Sequence, residues 1–399
     1  MANLANRNVS PKASHAMSTP FIYDKYVTGK DFLGRAEDAK ILGNLLGQRE
    51  HVAIYEPPKT GKKSVIQQAL FDASIRGSKY LTGQFSLMNI RSLQDFLVRF
   101  GTTAVRTAAT TPGEYADIVS RHLAGTHFVF DRKEYADRDA LISVNWEPDA
   151  ADMAAMLRLP MKLAKESGKR MVLILDEFQN IEQTGEGDSI CKELEKVMDE
   201  MSASQDPGCC FIFCGSMVNA MKEIFEVKCR FYHKVTRLQL RAVEEKIIIE
   251  HIVKGFLLGG KIIERELLLG TCRLFRNNLW YINHFISICD SLSKGYIVES
   301  TLMEALGAII SIHEPRFIAT MNSLTTFQVN MLKAILDGVN RFSSSEVIQK
   351  YGLSSSANVR RLKDALMKKE IVTFNEKDEA SLEDPLFEYW VRKYYFEMN

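Results

Sequence analysis

The chain has 399 residues, too many for one small domain and a length that suggests two or three. Its 46% hydrophobic and 25% charged residues are those of an ordinary globular protein with material for more than one core. A formal net charge of +1 excludes a global imbalance that would draw the whole chain to nucleic acid or a membrane, so any basic surface is local.

Seven cysteines without regular spacing argue against a disulfide framework, and Cys210 and Cys214 lie in an apolar run that reads as core. No Cys/His cluster has zinc spacing. No apolar run reaches the roughly 18 residues that span a bilayer. The opening MANLANRNVSPKASHAMSTP, residues 1–20, lacks the apolar stretch of a secretory signal and reads as a disordered polar tail, with Met17 a second candidate start. A cytoplasmic protein with no membrane partner is expected.

The first periodic segment, Asp38–Leu46, predicts a helix. His51–Tyr55 reads as a buried strand, followed by a loop and a helix from Lys62 through Ala73. A strand is expected at Thr82–Met88 and a helix from Ser92 to about Ala108. The segment from Thr110 to Pro148 has weak periodicity and reads as two helices and a loop. Asp149–Ser167 predicts one helix. Arg170–Leu175 and Cys209–Cys214 are continuous apolar strands, and Val235–Leu240 is a fifth. Such strands alternating with helices predict a parallel sheet covered on both faces, an α/β core over residues 21–240. From Arg241 to about Pro315 the chain reads as helices only, a lid-like domain over 241–315. A third pattern over 316–399 predicts helices at Thr326–Asp337, Ser344–Tyr351 and Ser355–Lys369, then a strand at Ile371–Asn375.

The loop EPPKTGKKS is tested against G-x-x-x-x-G-K-[ST]. Gly61–Lys62 fixes the register, which puts Glu56 at the first glycine and Lys63 at the magnesium-binding hydroxyl. The N–H groups of Lys59, Thr60, Gly61, Lys62, Lys63 and Ser64 can still form an anion nest at a helix N-terminus. Lys62 can still reach the β- and γ-phosphates. Pro57 and Pro58 lack an N–H but precede the cradling part. Glu56 is expected to place a repelling carboxylate beside phosphate. Lys63 offers only donors, so it cannot ligate Mg²⁺. Its charge either stands in for part of the metal's or pairs with Glu56, in which case Lys63→Thr alone would not restore activity.

RMVLILDEFQNI is an apolar strand ending in two carboxylates. In a phosphate-loop ATPase the first, here Asp176, holds Mg²⁺ through water, and the second, Glu177, orients and deprotonates the attacking water. The competing reading is a buried strand ending in solvated acids. CCFIFCGSMVNAMKEIF delivers Ser216 to the same sheet edge, as a γ-phosphate or water contact, as a helix N-cap, or as both.

Together FLGRAEDAKIL, the loop, LMNIRSLQDFL, LILDEFQNI, IFCGSMVNAMKEIF and the closing DPLFEYWV resemble the archaeal and bacterial ATPases of the AAA+/STAND phosphate-loop group, in a Bacteroidetes-like variety, over residues 30–399. The resemblance implies a five-stranded AAA-like core, a helical lid and a C-terminal winged helix, with ATP/ADP and Mg²⁺ as ligands. Members read GP-x-x-TGKTS where this chain reads EPPKTGKKS. Where they carry a candidate arginine finger, FYHK offers Lys234. Where they carry a lid proline near adenine, RNNLWYINHF has Leu279. The departures cluster on nucleotide contacts, whereas Lys62, Asp176, Glu177 and Ser216 match.

In the C-terminal module the helix Ser355–Lys369 reads as a recognition helix. A serine among 354–356 is its N-cap. Val359, Leu362 and Leu366 face the core, and Asn358, Arg360, Arg361 and Lys363 face out. The wing, NEKDEASLED, is acidic and disfavours phosphate contact, so a protein partner competes with DNA. Leu386, Phe387, Trp390 and Tyr394 are expected to pack on the domain. Two main functional readings stand, with a fully active ATPase in which Ser64 and Lys63 do unusual jobs as a third. One is an ATP-binding switch with a degenerate phosphate loop and weak hydrolysis. The other is a non-catalytic DNA- or protein-binding scaffold that keeps the ATPase fold only as structure.

Overall fold

The structure is a computed structural model that describes residues 20–133, 141–204, 208–375 and 377–398. The expected polar tail lies almost wholly outside the described residues. The core runs α1 (Ala36–Gly47), β1 (His51–Tyr55), α2 (Lys62–Ile75), β2 (Leu81–Ser86), α3 (Leu93–Ala108) and α4 (Pro112–His122). It continues with β3 (Phe128–Phe130), β4 (Ile142–Val144), α5 (Ala150–Leu157), α6 (Leu159–Ser167), β5 (Met171–Asp176), α7 (Gly187–Ser202), β6 (Cys209–Gly215), α8 (Val218–Lys222) and β7 (Val235–Arg237).

Five strands form one parallel sheet in the order β2-β5-β6-β1-β7. Every residue of β1, β5 and β6 is buried, as a sheet covered on both faces requires. Alternation sorts the side chains. Val52, Ile54, Val172, Ile174 and Ile212 pack with α1 and α2, whereas Tyr55, Leu173, Leu175, Phe211 and Phe213 pack with α3, α5, α6 and α7. The register Asp176↔Cys214 and Tyr55↔Gly215 brings the C-terminal ends of β5, β6 and β1 to one edge.

Two expectations are corrected here. The described residues of 110–148 hold the helix α4, with a Thr111/Glu114 capping box, and an antiparallel β3–β4 pair where only helices and a loop were expected. The second expected helix, over the charged stretch 131–140, falls mostly outside the described residues. Three-residue strands are too short to show a period. The single helix expected over Asp149–Ser167 is two helices, because the turn at Arg158 precedes Pro160, whose ring and missing N–H suit a first turn. Gly101 lets α3 come close to α5 and β4, because a Cβ there would run into the Met156 sulfur and Ile142 Cδ1.

The lid comprises α9 (Glu245–Leu258), β8 (Ile262–Ile263), α10 (Arg265–Leu274), α11 (Leu279–Leu292), β9 (Tyr296–Ile297) and α12 (Glu299–Asn322). The short parallel β8–β9 pair is the one departure from an all-helical reading there. Helix α12 runs through Pro315 into the C-terminal module. That module holds α13 (Thr326–Leu336), α14 (Ser345–Tyr351), α15 (Ser356–Lys368), the wing strands β10 (Val372–Phe374) and β11 (Ala380–Leu382), and α16 (Pro385–Trp390). Ser355 is the N-cap of α15, accepting the Asn358 N–H at 3.2 Å. Lid and winged helix share one core, in which Phe256, Phe285, Phe317, Leu332, Leu366 and Trp390 are all buried. At about 1.5–3 kcal/mol for each large apolar side chain, that shared core holds the two together firmly. Tyr394 is half exposed and does not join it as expected, because the chain has turned past Trp390 into a wider π-helical turn.

Candidate functional site: the cleft at the phosphate-loop end of the sheet

A cleft of about 940 Å³ opens where β1, β5 and β6 end, between the core, the lid helices α9 and α11, and the segment Pro20–Arg35. Its walls include Pro58, Lys59, Thr60, Gly61, Lys62, Lys63, Ser64, Asp176, Glu177 and Ser216. The structure thus gathers every predicted site residue on one cavity except Pro57, whose carbonyl instead accepts from Lys62.

The loop backbone has the geometry of an anion cradle. Gly61 caps α2 at φ 90°, a conformation open to glycine, and Lys59 takes the left-handed φ of 65°. The first N–H groups of α2 have no partner within the helix and open on the cleft with the positive end of its dipole. Thr60 Oγ1 donates to the Pro57 carbonyl at 2.8 Å and Arg35 donates to the Thr60 carbonyl, fixing the loop from both sides.

The three loop lysines have different partners. Lys62 is buried, and its ammonium donates to the carbonyls of Glu56 at 2.7 Å and Pro57 at 2.9 Å. Burial lowers its pKa, opposed by the Cys214 thiol and by Glu177, Glu56 and Asp176. Lys59 lies 3.5 Å from the centre of the Trp280 ring at the start of α11. Burial brings it down to about 8, helped by Arg316 and opposed by Asp384. Lys63 forms an ion pair with Asp176, Nζ to Oδ2 at 2.7 Å, with its own side chain 55% exposed and that of Asp176 only 4%. Burial pulls the Lys63 ammonium down, but the hydrogen bond and charge of Asp176 outweigh it and leave its pKa raised.

The pairing of Lys63 with Glu56 is therefore corrected. Glu56 turns away from the cleft and accepts the Leu240 N–H at 3.0 Å, closing the end of β7. Burial raises its pKa, against the Leu240 N–H and the charges of Arg237, Lys62 and Arg35. The carboxylate expected to repel phosphate does not line the cavity.

The opposite wall is held as tightly. Glu177 sits at φ 55°, and its Oε2 accepts from Ser216 Oγ at 2.6 Å, the Ser216 N–H at 3.2 Å and Gln179 Nε2 at 2.6 Å. Sequence reasoning missed Gln179, which is buried and two residues after the acid it holds. It also missed Ser64 Oγ accepting the Val27 N–H at 3.2 Å and Gln68 Oε1 accepting that of Gly29 at 2.7 Å, which dock the Pro20–Arg35 segment on α2. Lys234, at the finger position, is ion-paired with Asp199 of the same chain. Leu279 lines the cleft.

Three residues beyond Ser216 the core meets the winged helix. Asn219 donates its N–H to Glu370 Oε2 at 3.1 Å and its side-chain amide to the carbonyls of Met367 and Val372, each at 3.1 Å. Glu370 Oε1 accepts the Ala220 N–H at 2.9 Å, and Thr373 donates to Asn219 Oδ1 at 3.0 Å. Glu383 lies beside this joint, and burial together with Glu370 pushes it up to about 7. On α15, Arg360 and Arg361 are exposed. Asn358 is half-buried and donates to the Leu353 carbonyl, and Lys363 is half-buried and pairs with Asp378 of the wing. The last two do not face out as expected, because the wing and the turn before α15 take up their donors.

A divalent cation fits these residues poorly. The position that would offer a hydroxyl offers an ammonium, and the buried carboxylate that would face the ion already accepts from it. Among the described residues no helix is long and apolar enough to cross a membrane.

A family model described as "Probable winged helix domain" matches residues 315–393. The Walker-type ATPase PABY2304 of Pyrococcus abyssi superposes with a TM-score of 0.64 at 13% identity, covering 94% of this chain and 99% of the other. The Aeropyrum pernix ORC2 protein, in a structure titled as ADPNP–ADP complexes, superposes with a TM-score of 0.57 at 12% identity, covering 92% and 94%. No curated protein matches the chain in sequence. The chain therefore has the fold of the Walker-type ATPases, a phosphate-loop AAA-like core followed by a helical lid and a winged helix.

Proposed function

We propose that this protein is a nucleotide-dependent switch that binds ATP or ADP in the cleft and hydrolyses it weakly or not at all. The observation that carries the reading is the convergence of Lys62, the open N-terminus of α2, Glu177 and Ser216 on one cavity between core and lid. The A. pernix ORC2 protein, solved as ADPNP–ADP complexes, supports nucleotide as the ligand class.

Each residue has a part in that reading. Lys62 swings from the carbonyls of Glu56 and Pro57 to the phosphates, and the loop N–H groups cradle them. Glu177 is the group placed to act on water, yet Ser216 and Gln179 hold one of its oxygens, so it is restrained as a base. The same Ser216 lies three residues from Asn219, so a change at the terminal phosphate has a short path to the winged-helix joint. The partner met through that module is DNA or protein, with Arg360 and Arg361 of α15 among its exposed cations.

A second reading, a non-catalytic scaffold, draws on the fact that Lys62, Lys63 and Glu177 have partners within the chain itself. Calorimetric titration of the purified chain with ATP and ADP separates the two. Micromolar binding that Lys62→Ala removes supports the switch. No binding up to millimolar nucleotide supports the scaffold, and Asp176→Asn would then be silent.

A further inference from the structure

The ion pair between Lys63 and Asp176 points to an unusual ligand form. We infer that the cleft takes its nucleoside polyphosphate without a divalent cation, the Lys63 ammonium occupying the charge position between the phosphate loop and the β5 carboxylate. The inference rests on the reading that the cleft binds nucleotide.

Four observations carry it. First, the geometry is that of a bridge: Lys63 stands at the second position of α2, and its Nζ reaches across to Asp176 Oδ2 at 2.7 Å. A cation joining the loop to that strand end must occupy the same gap. Second, the acceptor is committed. Asp176 is buried, and an incoming dication would have to displace an ammonium from it while standing beside that ammonium's charge. Third, the ammonium keeps a route to ligand. The Lys63 side chain is 55% exposed and lines the cavity, so two of its three N–H donors remain available to phosphate oxygens. Fourth, the local charge already suits a polyanion. Lys59, Lys62 and Lys63 line the phosphate end against Asp176 and Glu177, while Glu56 is withdrawn to the Leu240 N–H.

An ammonium replaces charge but not chemistry. It is no Lewis acid, so it neither activates a water as a divalent cation does nor holds the octahedral geometry that orients a terminal phosphate. Binding with little or no turnover follows, in keeping with the proposed switch.

The test is calorimetric titration of ATP into the full chain in excess EDTA and again in millimolar Mg²⁺, with Lys63→Thr and Lys63→Ala alongside and circular dichroism to confirm their folding. The inference expects wild-type affinity in EDTA within about threefold of that in Mg²⁺. It expects Lys63→Ala to lose at least about tenfold in EDTA, as removal of a charge-assisted bond does. It expects Lys63→Thr, which restores a hydroxyl, to bind ATP better with Mg²⁺ than without. Wild-type binding that appears only with Mg²⁺ overturns the inference and leaves nucleotide binding standing. Equal binding by Lys63→Ala and wild type in EDTA also overturns it. Absence of binding in every buffer overturns both this inference and the nucleotide reading.

Discussion

The two walls of the cleft make an instructive contrast. The loop wall departs from the phosphate-loop pattern at two of its fixed positions, Glu56 and Lys63. The strand-end wall keeps Asp176, Glu177 and Ser216 in place. Yet the loop wall is the more open to ligand, because its altered carboxylate turns away from the cleft to the Leu240 N–H and its lysines line the cavity. The wall with matching residues is the more constrained, with Asp176 tied to Lys63 and Glu177 tied to Ser216 and Gln179. Matching residue types are thus a poor guide to chemistry where the partners have changed. The difference separates binding, which the loop wall supplies, from hydrolysis, which the strand-end wall restrains.

The largest expected effect tests the loop wall. Lys62→Ala should weaken ATP binding by about 100-fold or more, because a phosphate loop without its lysine loses a desolvated, charge-assisted contact. Titration calorimetry reads it. A change below about threefold would move the binding role elsewhere in the cleft.

The next effect concerns Glu383, where the loop side and the winged-helix joint meet. Its folded pKa is raised from 4.5 to about 7 by burial first and by Glu370 and Glu56 next, against Lys222 and Arg276. The folded state therefore binds this proton more tightly than the unfolded chain does. Stability from this group is highest below about pH 4.5 and falls as pH rises towards about 7. Glu383→Gln should remove that fall and stabilise the protein at pH 8 by about 1–3 kcal/mol. Thermal unfolding across the pH range, wild type against variant, checks it.

Asn219→Ala sharpens the strand-end side. It removes side-chain bonds to Met367, Glu370 and Val372 and should cost about 1–3 kcal/mol, with faster proteolysis between core and winged helix. Unchanged proteolysis would mean that the shared lid and winged-helix core, rather than this joint, sets the docking. The smallest effect is at Lys59→Ala, which loses the contact over Trp280. About 0.5–1 kcal/mol of stability and a shift in tryptophan emission are expected.

Much of this fold is legible in the sequence. β1, β5 and β6 are continuous apolar runs, and such runs become central parallel strands for one physical reason: both faces are covered. The loop register follows from Gly61–Lys62 alone, and α15 from its serine cap and its Val359, Leu362 and Leu366 face. The β3–β4 pair was not legible, since strands of three residues carry too little pattern to show alternation. Nor was the choice Lys63 makes. The sequence offers both Glu56 and Asp176 as acids for that ammonium, and what sets Glu56 apart is its bond with the Leu240 N–H, 184 residues away. The Asn219–Glu370 joint is equally invisible in one dimension, being a contact between polar side chains 151 residues apart.

The central claim is that nucleotide enters the cleft and is felt at the winged-helix joint. Hydrogen–deuterium exchange of the full chain with and without millimolar ATP tests it most directly. The account predicts protection across Lys59–Val65 together with altered exchange at Met217–Lys222 and in the wing strands. Unchanged exchange in the phosphate loop at saturating ATP would contradict it.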